Sequence, residues 1–526
     1  MTNPDPRPAG MLKSVLSRRS FVQAAGLGGL VAVSGACSSV AGRSSGGQDG
    51  GTSDGWAASL TAEPASLDPI IDFSVAGLIA QGHIYDPLVD YLGVDFTKSM
   101  RLATSQKVLD SLTWEYKLRE GVKFHDGTPL TADDVVFTLL RARDEARSTR
   151  QRYVAPIADV VAVDDLTVHI KTSQPFVTLP YSLPFVPIQS RAYFDKVGAK
   201  QAGIEPIGTG RYKVRKWDQG ANLELVAYED YFDGQVTPST LTLRGITEPA
   251  TRTAELSAGS LQVVTGVPVD LAKPLESDDS VELGVVDGAR QVYFLLNTLK
   301  GPLTDPRVRQ AMNFGVNRDT IVDDILVGYG ESRTGPWAPD LPGFNAKAAS
   351  FYSYDPDRAR SLLRAAGADR VRATWQMWSG VTQKDVDIAS SIASQLAEVG
   401  FDIKVQTTDS ARLAEQRGAG QFEMTVSTWS KQADVESILS GLTLQSTSNK
   451  FFHNEQFDRL LSHARETLDD KARYALYEQM YQLLVEDPPY LYVHAQSEIY
   501  AKAKGLNWTA TPFAGNAGNT LFVSAK

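Results

Sequence analysis

A single cysteine, Cys37, occurs in 526 residues, so no disulfide can close within the chain. Positive charge is also short: 52 Lys and Arg stand against 62 Asp and Glu, a formal net charge of −10. A protein that grips phosphate backbones needs the opposite balance, which argues against nucleic-acid binding. Beyond the N-terminus no apolar run approaches the roughly 20 residues needed to cross a bilayer, so the bulk of the chain is neither a channel nor a permease. Histidine is scarce as well. His83, His125, His169, His453, His463 and His494 include no HExxH pair and have no cysteine ligand to join them, so they read as single surface or capping residues and no metal site is expected. GxxxxGK[ST] and GxSxG are missing, Gly208-Thr209-Gly210 lacks the third glycine of a dinucleotide fingerprint, and Gly26-Leu27-Gly28 lies in the leader. These absences lower the expectation of an enzyme and call for no cofactor.

What is present fits a large globular protein: 42% apolar and 22% charged residues. At roughly 100–200 residues per domain the length predicts two to four domains. Residues 1–36 read as an address. Arg7, Lys13, Arg18 and Arg19 oppose only Asp5, and a Gly/Ala-rich apolar run follows from Phe21 to Ala36, the pattern of an export signal. Ser17-Arg18-Arg19-Ser20-Phe21-Val22 resembles a twin-arginine signal, with the general secretory route as the alternative. Ser34-Gly35-Ala36-Cys37 resembles a lipobox, in which the cysteine becomes the lipidated N-terminus; Ser34 stands where leucine is usual. Acyl chains on Cys37, at about 0.8 kcal/mol per buried methylene, would hold the protein on a membrane without a spanning helix. Residues 37–55 then read as a flexible Ser/Gly linker. Without the first 36 residues the balance is 48 basic against 61 acidic.

Folded sequence is expected from Trp56. Thr131-Ala132-Asp133-Asp134 resembles a capping box, and Asp305-Pro306 and Asp355-Pro356 each set a helix start. Ile388, Ile392, Leu396 and Val399 mark a helix ending at Gly400, followed by alternation at Phe401, Ile403 and Val405 and again at Phe422, Met424 and Val426. The interval 295–494 therefore reads as an α/β lobe. The interval 160–295 is richer in strands, at Val160–Lys171, Arg211–Lys216, Leu223–Ala227 and Leu241–Ile246.

The run Trp114-Glu115-Tyr116-Lys117-Leu118-Arg119-Glu120-Gly121-Val122-Lys123-Phe124-His125-Asp126-Gly127-Thr128-Pro129-Leu130-Thr131 resembles the signature of family 5 extracellular solute-binding proteins, the peptide/nickel-type receptors of ABC importers. Pro64-Ala65-Ser66-Leu67-Asp68-Pro69, Ile84–Val89, Pro206–Tyr212, Phe294–Asn297 with Asp305–Ala311, and Glu486-Asp487-Pro488-Pro489 are similar to that family in order and spacing. The resemblance implies an α/β, two-lobed periplasmic-binding-protein-like fold of type II, in its large three-domain form with an inserted extra domain. Domain I would comprise 56–91, 203–294 and 495–526, domain II the insertion 92–202, and domain III residues 295–494. It further implies a monomeric receptor on the outer face of the bacterial cytoplasmic membrane, in the periplasm or cell envelope. Such a receptor closes on a peptide or peptide-like solute and delivers it to an ABC permease without chemistry. Nickel chelates and oligosaccharides are the alternative cargoes, and a secreted hydrolase the alternative class.

The same resemblance supplies the expected site. Trp429, after the alternating strand at Phe422–Val426, would form a wall on which a ligand stacks. Asp434 would hold a ligand ammonium or cap the helix that begins at Val435, two compatible roles. Oligopeptide members carry an arginine just before the tryptophan. Here Val426, Ser427 and Thr428 stand there, which leaves Lys431 or Arg417 as substitutes. Asp72 and Phe73 fall where the first lobe touches ligand in relatives, and Asn297 would lie near the hinge.

Overall fold

The computed structural model describes residues 55–93, 96–442 and 451–510. The leader, Cys37, the linker up to residue 54 and the expected last segment of domain I from 511 onward lie outside the described residues.

Hydrophobic alternation and long-range pairing build one extended sheet. Its main path runs Phe401–Thr407, Val371–Met377, Met424–Ser430, Val281–Leu296, Tyr490–Ala503, Val263–Val264, Gly55–Leu60, Thr240–Gly245, Asn222–Ala227 and Tyr212–Asp218. Gly330–Ser332 pairs beside Tyr490–Ala503 as an eleventh strand among the described residues. The middle of this path decides the architecture. Val281–Leu296 and Tyr490–Ala503, 16 and 14 residues long, pair antiparallel and carry the sheet from one half of the molecule into the other.

Each half has its own apolar core. One is packed around Phe294, Phe314, Trp337, Trp375, Ile392 and Tyr481. The other gathers Ala58, Leu60, Tyr212, Leu241, Val263 and Tyr500. A separate four-stranded antiparallel sheet, Ala103–Asp110, Thr113–Leu118, Thr167–Thr172 and Ile157–Asp164, packs the helix Ala132–Asp144 over Trp114, Tyr116, Val135, Leu139 and Ile170.

Local signals set the helix starts. Asp305 accepts from Arg307 N at 2.8 Å before the helix Pro306–Phe314, and Asp355 accepts from Arg358 N at 2.8 Å before Pro356–Ala365. Thr131 N donates to Asp134 Oδ2 at 2.9 Å, the return half of a capping box. Two expectations change. The single strand expected over Val160–Lys171 is a hairpin, Ile157–Asp164 and Thr167–Thr172, because Asp164 Oδ1 accepts from Leu166 N at 2.9 Å and folds the chain back. The strand expected to stop at Val426 continues through Ser430, because its pairing with Val281–Leu296 continues to Arg290 opposite Ser430. Trp429 is thus a strand residue.

Three of the sequence motifs meet in space. His125 N donates to Gly208 O at 2.9 Å, and Gly208 N donates back to His125 Nδ1 at 3.2 Å. His125 Nε2 lies 2.9 Å from Gly210 O, which makes it the protonated nitrogen of the ring. A Cβ on Gly208 would sit 2.0 Å from Ile84 O, so only glycine lets these backbones approach. Among the described residues no helix is long and apolar enough to cross a membrane.

Candidate functional site at the junction of the two halves

Parallel strands expose their chain ends at one edge, where following loops gather side chains. In the first half, Gly55–Leu60 pairs parallel with both Thr240–Gly245 and Val263–Val264. In the second, Val371–Met377 pairs parallel with Phe401–Thr407 and Met424–Ser430. The carboxyl ends of both groups meet at a cavity of about 630 Å³. Thr61, Thr247, Thr265 and Gly266 follow the strands of the first half, and Gly380–Lys384 follows Val371–Met377 from the second. Arg290, Gln496, Glu498 and Tyr500 come from the two long strands, and Val75 and Ile79 from the helix Val75–Ile84.

Direct bonds cross this cavity between the halves. Val269 N donates to Gln383 Oε1 at 2.7 Å, and Gln383 N donates to Gln496 Oε1 at 3.0 Å. Lys384 Nζ lies 2.6 Å from Asp270 Oδ2. Beside them the long strands bulge: Val286 faces Glu498 and Arg290 faces Gln496, so three residues oppose one. Gly288 in the bulge has φ +61°, and Asp287 Oδ1 accepts from Ser497 Oγ at 2.7 Å.

A second cavity of about 140 Å³ lies where the four-stranded sheet's region meets the second half. Trp429 lines it, with Nε1 donating to Ser437 Oγ at 3.2 Å, and Ser437 Oγ donates to Gln432 Oε1 at 2.9 Å. Arg152, Tyr153 and Ser182 form the facing wall, and Arg465, held by Glu436 at 2.7 Å, borders it. The two cavities are close in the sheet, because Arg290 of the first pairs with Ser430, the residue after Trp429 of the second.

The expected site residues separate into two groups. Trp429 lines the second cavity, whereas Phe73 lines neither and packs behind its wall, stacking on Tyr153 with centroids 5.8 Å apart, under the Arg150 guanidinium at 4.2 Å. Asp72 and Asp434 line neither cavity. Asp72 is buried and accepts from Ala65 N at 2.9 Å, Ser66 N at 3.2 Å and Ser74 N at 2.7 Å, knitting the Pro64–Pro69 turn to the following helix. Asp434 is 3% exposed. Its Oδ1 accepts from Glu436 N at 2.8 Å and Tyr477 Oη at 3.1 Å, and Arg473 Nη2 stands 3.7 Å from Oδ2. Burial raises its pKa to about 6, against the lowering influence of Arg473. Lys431 is tied to Asp340. Arg417, on the helix Ser410–Gly418, borders neither cavity, and burial lowers its pKa. Asn297 Nδ2 donates to Gly420 O at 3.1 Å and Phe422 O at 2.8 Å, bracing the start of the Trp429 strand away from the bulge.

Sequence reasoning missed Arg290, Gln383, Lys384, Arg152 and Gln432. The Asp287-Gly288 pair inside the strand Val281–Leu296 was an available signal, since glycine in a strand marks a bulge. Among the described residues no cluster of three or more His, Cys, Asp and Glu is placed to hold a metal ion.

Two α/β halves joined by long paired strands, with a cavity at their facing strand ends, define a two-lobed solute-binding protein. The chain belongs to family 5 of the bacterial extracellular solute-binding proteins: the family model described as "Bacterial extracellular solute-binding proteins, family 5 Middle" matches residues 99–450. It is 30% identical over 470 residues to the glutathione-binding protein GsiB of Escherichia coli (strain K12), covering 85% of this chain and 89% of the relative. Among solved structures it is similar to the binding protein AgaA of A.tumefacien R10, solved with agropinic acid, at 25% identity and TM-score 0.75 over 88% of this chain and 97% of that one. DppA of Helicobacter pylori, solved with the peptide STSA, shares the fold at 24% identity and TM-score 0.75 over 89% and 98% of the two chains.

Proposed function

We propose that this chain captures a peptide or peptide-like solute between its two halves and passes it unchanged to the permease of an ABC importer. The observation that carries this reading is the cavity of about 630 Å³ bounded by strand ends from both halves. That volume lies within the roughly 300–1,000 Å³ of small-molecule sites. Threonine and glutamine side chains with two opposite charge pairs, Arg290–Glu498 and Lys384–Asp270, suit a ligand that carries both charges. The name of GsiB, a glutathione-binding relative, supports a small peptide-like cargo.

In this reading Trp429 and Phe73 shape the wall that side chains of the ligand touch, while Asp434 and Asp72 hold that wall in position. Domains I, II and III follow the boundaries given above, and the bulge at Asp287–Ala289 is where the halves turn. Ligand adds contacts available only in the shut form and shifts the equilibrium toward it. The protein works as a monomer outside the cytoplasm, tethered through a lipid on Cys37 that keeps it near its permease.

A thermal-shift screen tests the cargo, because a ligand that binds the native state raises the melting temperature. Glutathione and di- to hexapeptides are expected to give the hits. Hits confined to nickel complexes or to oligosaccharides would replace the peptide reading, and product formed from any compound would replace the receptor reading.

A further inference from the structure

We infer that Arg290 anchors a carboxylate of the bound solute, an assignment that rests on the peptide reading above and names the group recognised. A guanidinium carries five N–H donors, and buried ones are normally bonded. Arg252, in the wall of the same cavity, has both terminal nitrogens bonded, Nη1 donating to Ile246 O at 2.7 Å and Thr247 O at 3.0 Å and Nη2 to Gly266 O at 2.9 Å, so that its Nε alone lacks a partner among the described residues. Arg318 and, except for an unpartnered Nη1, Arg150 likewise donate to backbone carbonyls.

Arg290 differs. Its Nε is buried without a partner, as that of Arg252 is, but here neither Nη nitrogen donates a hydrogen bond to a described residue either. Its ion-pair neighbour among them, Glu498, stands 3.6 Å from Nη2, longer than a hydrogen bond. Glu498 is itself engaged, since its Oε2 accepts from Tyr500 Oη at 2.9 Å. Arg290 is 23% exposed at its side chain and borders the cavity. A planar fork with open donors fits a carboxylate, which it can meet through two parallel bonds.

Position adds a second argument. Arg290 follows the Asp287–Ala289 bulge directly, faces Gln496 on one side, and pairs with Ser430 on the other. A carboxylate held there places the remainder of the ligand between the strand ends of both halves. The anchoring residue thus lies on the strand that joins the halves, where ligand contact and closure are coupled.

The test uses trialanine and its C-terminal amide, and glutathione and its glycine amide, with the full-length protein in titration calorimetry. The free acids are expected to bind at least about 10-fold more tightly than the amides, as loss of a charge-assisted pair predicts. Arg290→Gln is expected to abolish that gap and Arg290→Lys to keep part of it, with the melting temperature of unliganded protein unchanged. Should Arg290→Gln unfold more readily, the acid–amide gap in Arg290→Lys against the unaltered protein decides. Equal binding of acid and amide by the unaltered protein, or an undiminished gap in Arg290→Gln, overturns the assignment and leaves the peptide reading standing. Failure of the unaltered protein to bind any of the four probes removes the peptide reading and this assignment with it.

Discussion

Lys384 Nζ and Asp270 Oδ2 are 2.6 Å apart, and the bond they form spans the cavity from one half of the protein to the other. Lys384 takes a left-handed backbone, φ 56°, at the head of the helix Asp385–Ala397, which turns its loop toward Val267–Asp270. Gln383 bonds in the same direction, to Val269 N. Bonds that join the two halves favour a closed arrangement and so add to any closing free energy supplied by ligand. The exposed ion pair is worth at most about 1 kcal/mol and the partly buried glutamine bond about as much. The double variant Asp270→Ala, Gln383→Ala is therefore expected to lower ligand affinity several-fold and to raise the radius of gyration of unliganded protein in solution scattering. An unchanged radius together with unchanged affinity would mean that these bonds do not bias closure.

Gly288 tests the bulge. Its φ of +61° disfavours any side chain, and a Cβ there would stand 3.2 Å from Arg333 Nη2 and 3.3 Å from Glu331 Oε2. A β-branched residue in this region is strained. Gly288→Val is expected to destabilise the protein by about 1–3 kcal/mol in urea titration and to alter ligand affinity at the same time. Gly505→Ala, a left-handed glycine at φ +77° with open space around its Cβ, serves as control: it shares the backbone strain and should leave affinity unchanged.

Acid should weaken the fold through its buried histidines. Burial holds His83 and His494 at a pKa of about 3 and His125 at about 4, well under the free value of 6.5. Because these folded-state values are depressed, the unfolded chain binds more protons as pH falls below about 6.5, and stability is lost from there down toward 4 and 3. Each fully buried histidine adds a slope of about 1.4 kcal/mol per pH unit in that window. Asp90 at about 7 and Asp434 at about 6 act in the opposite sense, since their raised values favour the folded form on its acid side. Urea titrations of His125→Gln between pH 4 and 6.5 are expected to show a shallower loss of stability than the unaltered protein. An identical slope would place the acid sensitivity elsewhere.

Much of this organisation was legible in the chain because it is local. Asp305 and Asp355 announce helix starts by a carboxylate and a following proline. The alternation at Phe401–Val405 is strand-like because one face of that strand is buried. The site was less legible because it is assembled from afar. Arg290 meets Gln496 across 206 positions only once the long strands pair. Gln383 becomes a bridging residue only when the loop after Val371–Met377 reaches Val269. Asp434 shows the limit from the other side: its position after Trp429 suggested a ligand contact, while the fold surrounds it with Tyr477, Arg473 and the Glu436 amide. Nothing in the local sequence announces that burial.

That contrast yields a paired prediction for Trp429 and Asp434. Trp429 borders the second cavity, so Trp429→Ala is expected to weaken peptide binding by roughly 10-fold or more through lost apolar contact. Asp434→Asn keeps an oxygen acceptor for Glu436 N and Tyr477 and is expected to leave affinity within about twofold. Its effect should appear in stability. Asp434 with its raised pKa loses stabilising effect as pH rises from about 4 to about 6, and the asparagine removes that component. Calorimetry with glutathione and melting curves across pH 4–7 separate the two. A large loss of affinity in Asp434→Asn would make the carboxylate a ligand contact after all.

The proposed tether is tested at Cys37, which in the sequence follows a short apolar run and precedes the Ser/Gly tract. One acyl chain binds a bilayer only marginally, whereas several anchor stably, so diacylglycerol on the sulfur would fix the protein at the membrane. Cys37→Ser is expected to shift the exported protein from the membrane fraction to the soluble fraction and to slow uptake of dilute cargo. Ligand affinity of the purified protein should be unaffected, because the cavity begins beyond the linker, at Thr61. Retention of Cys37→Ser in washed membranes would show that another surface holds the protein there.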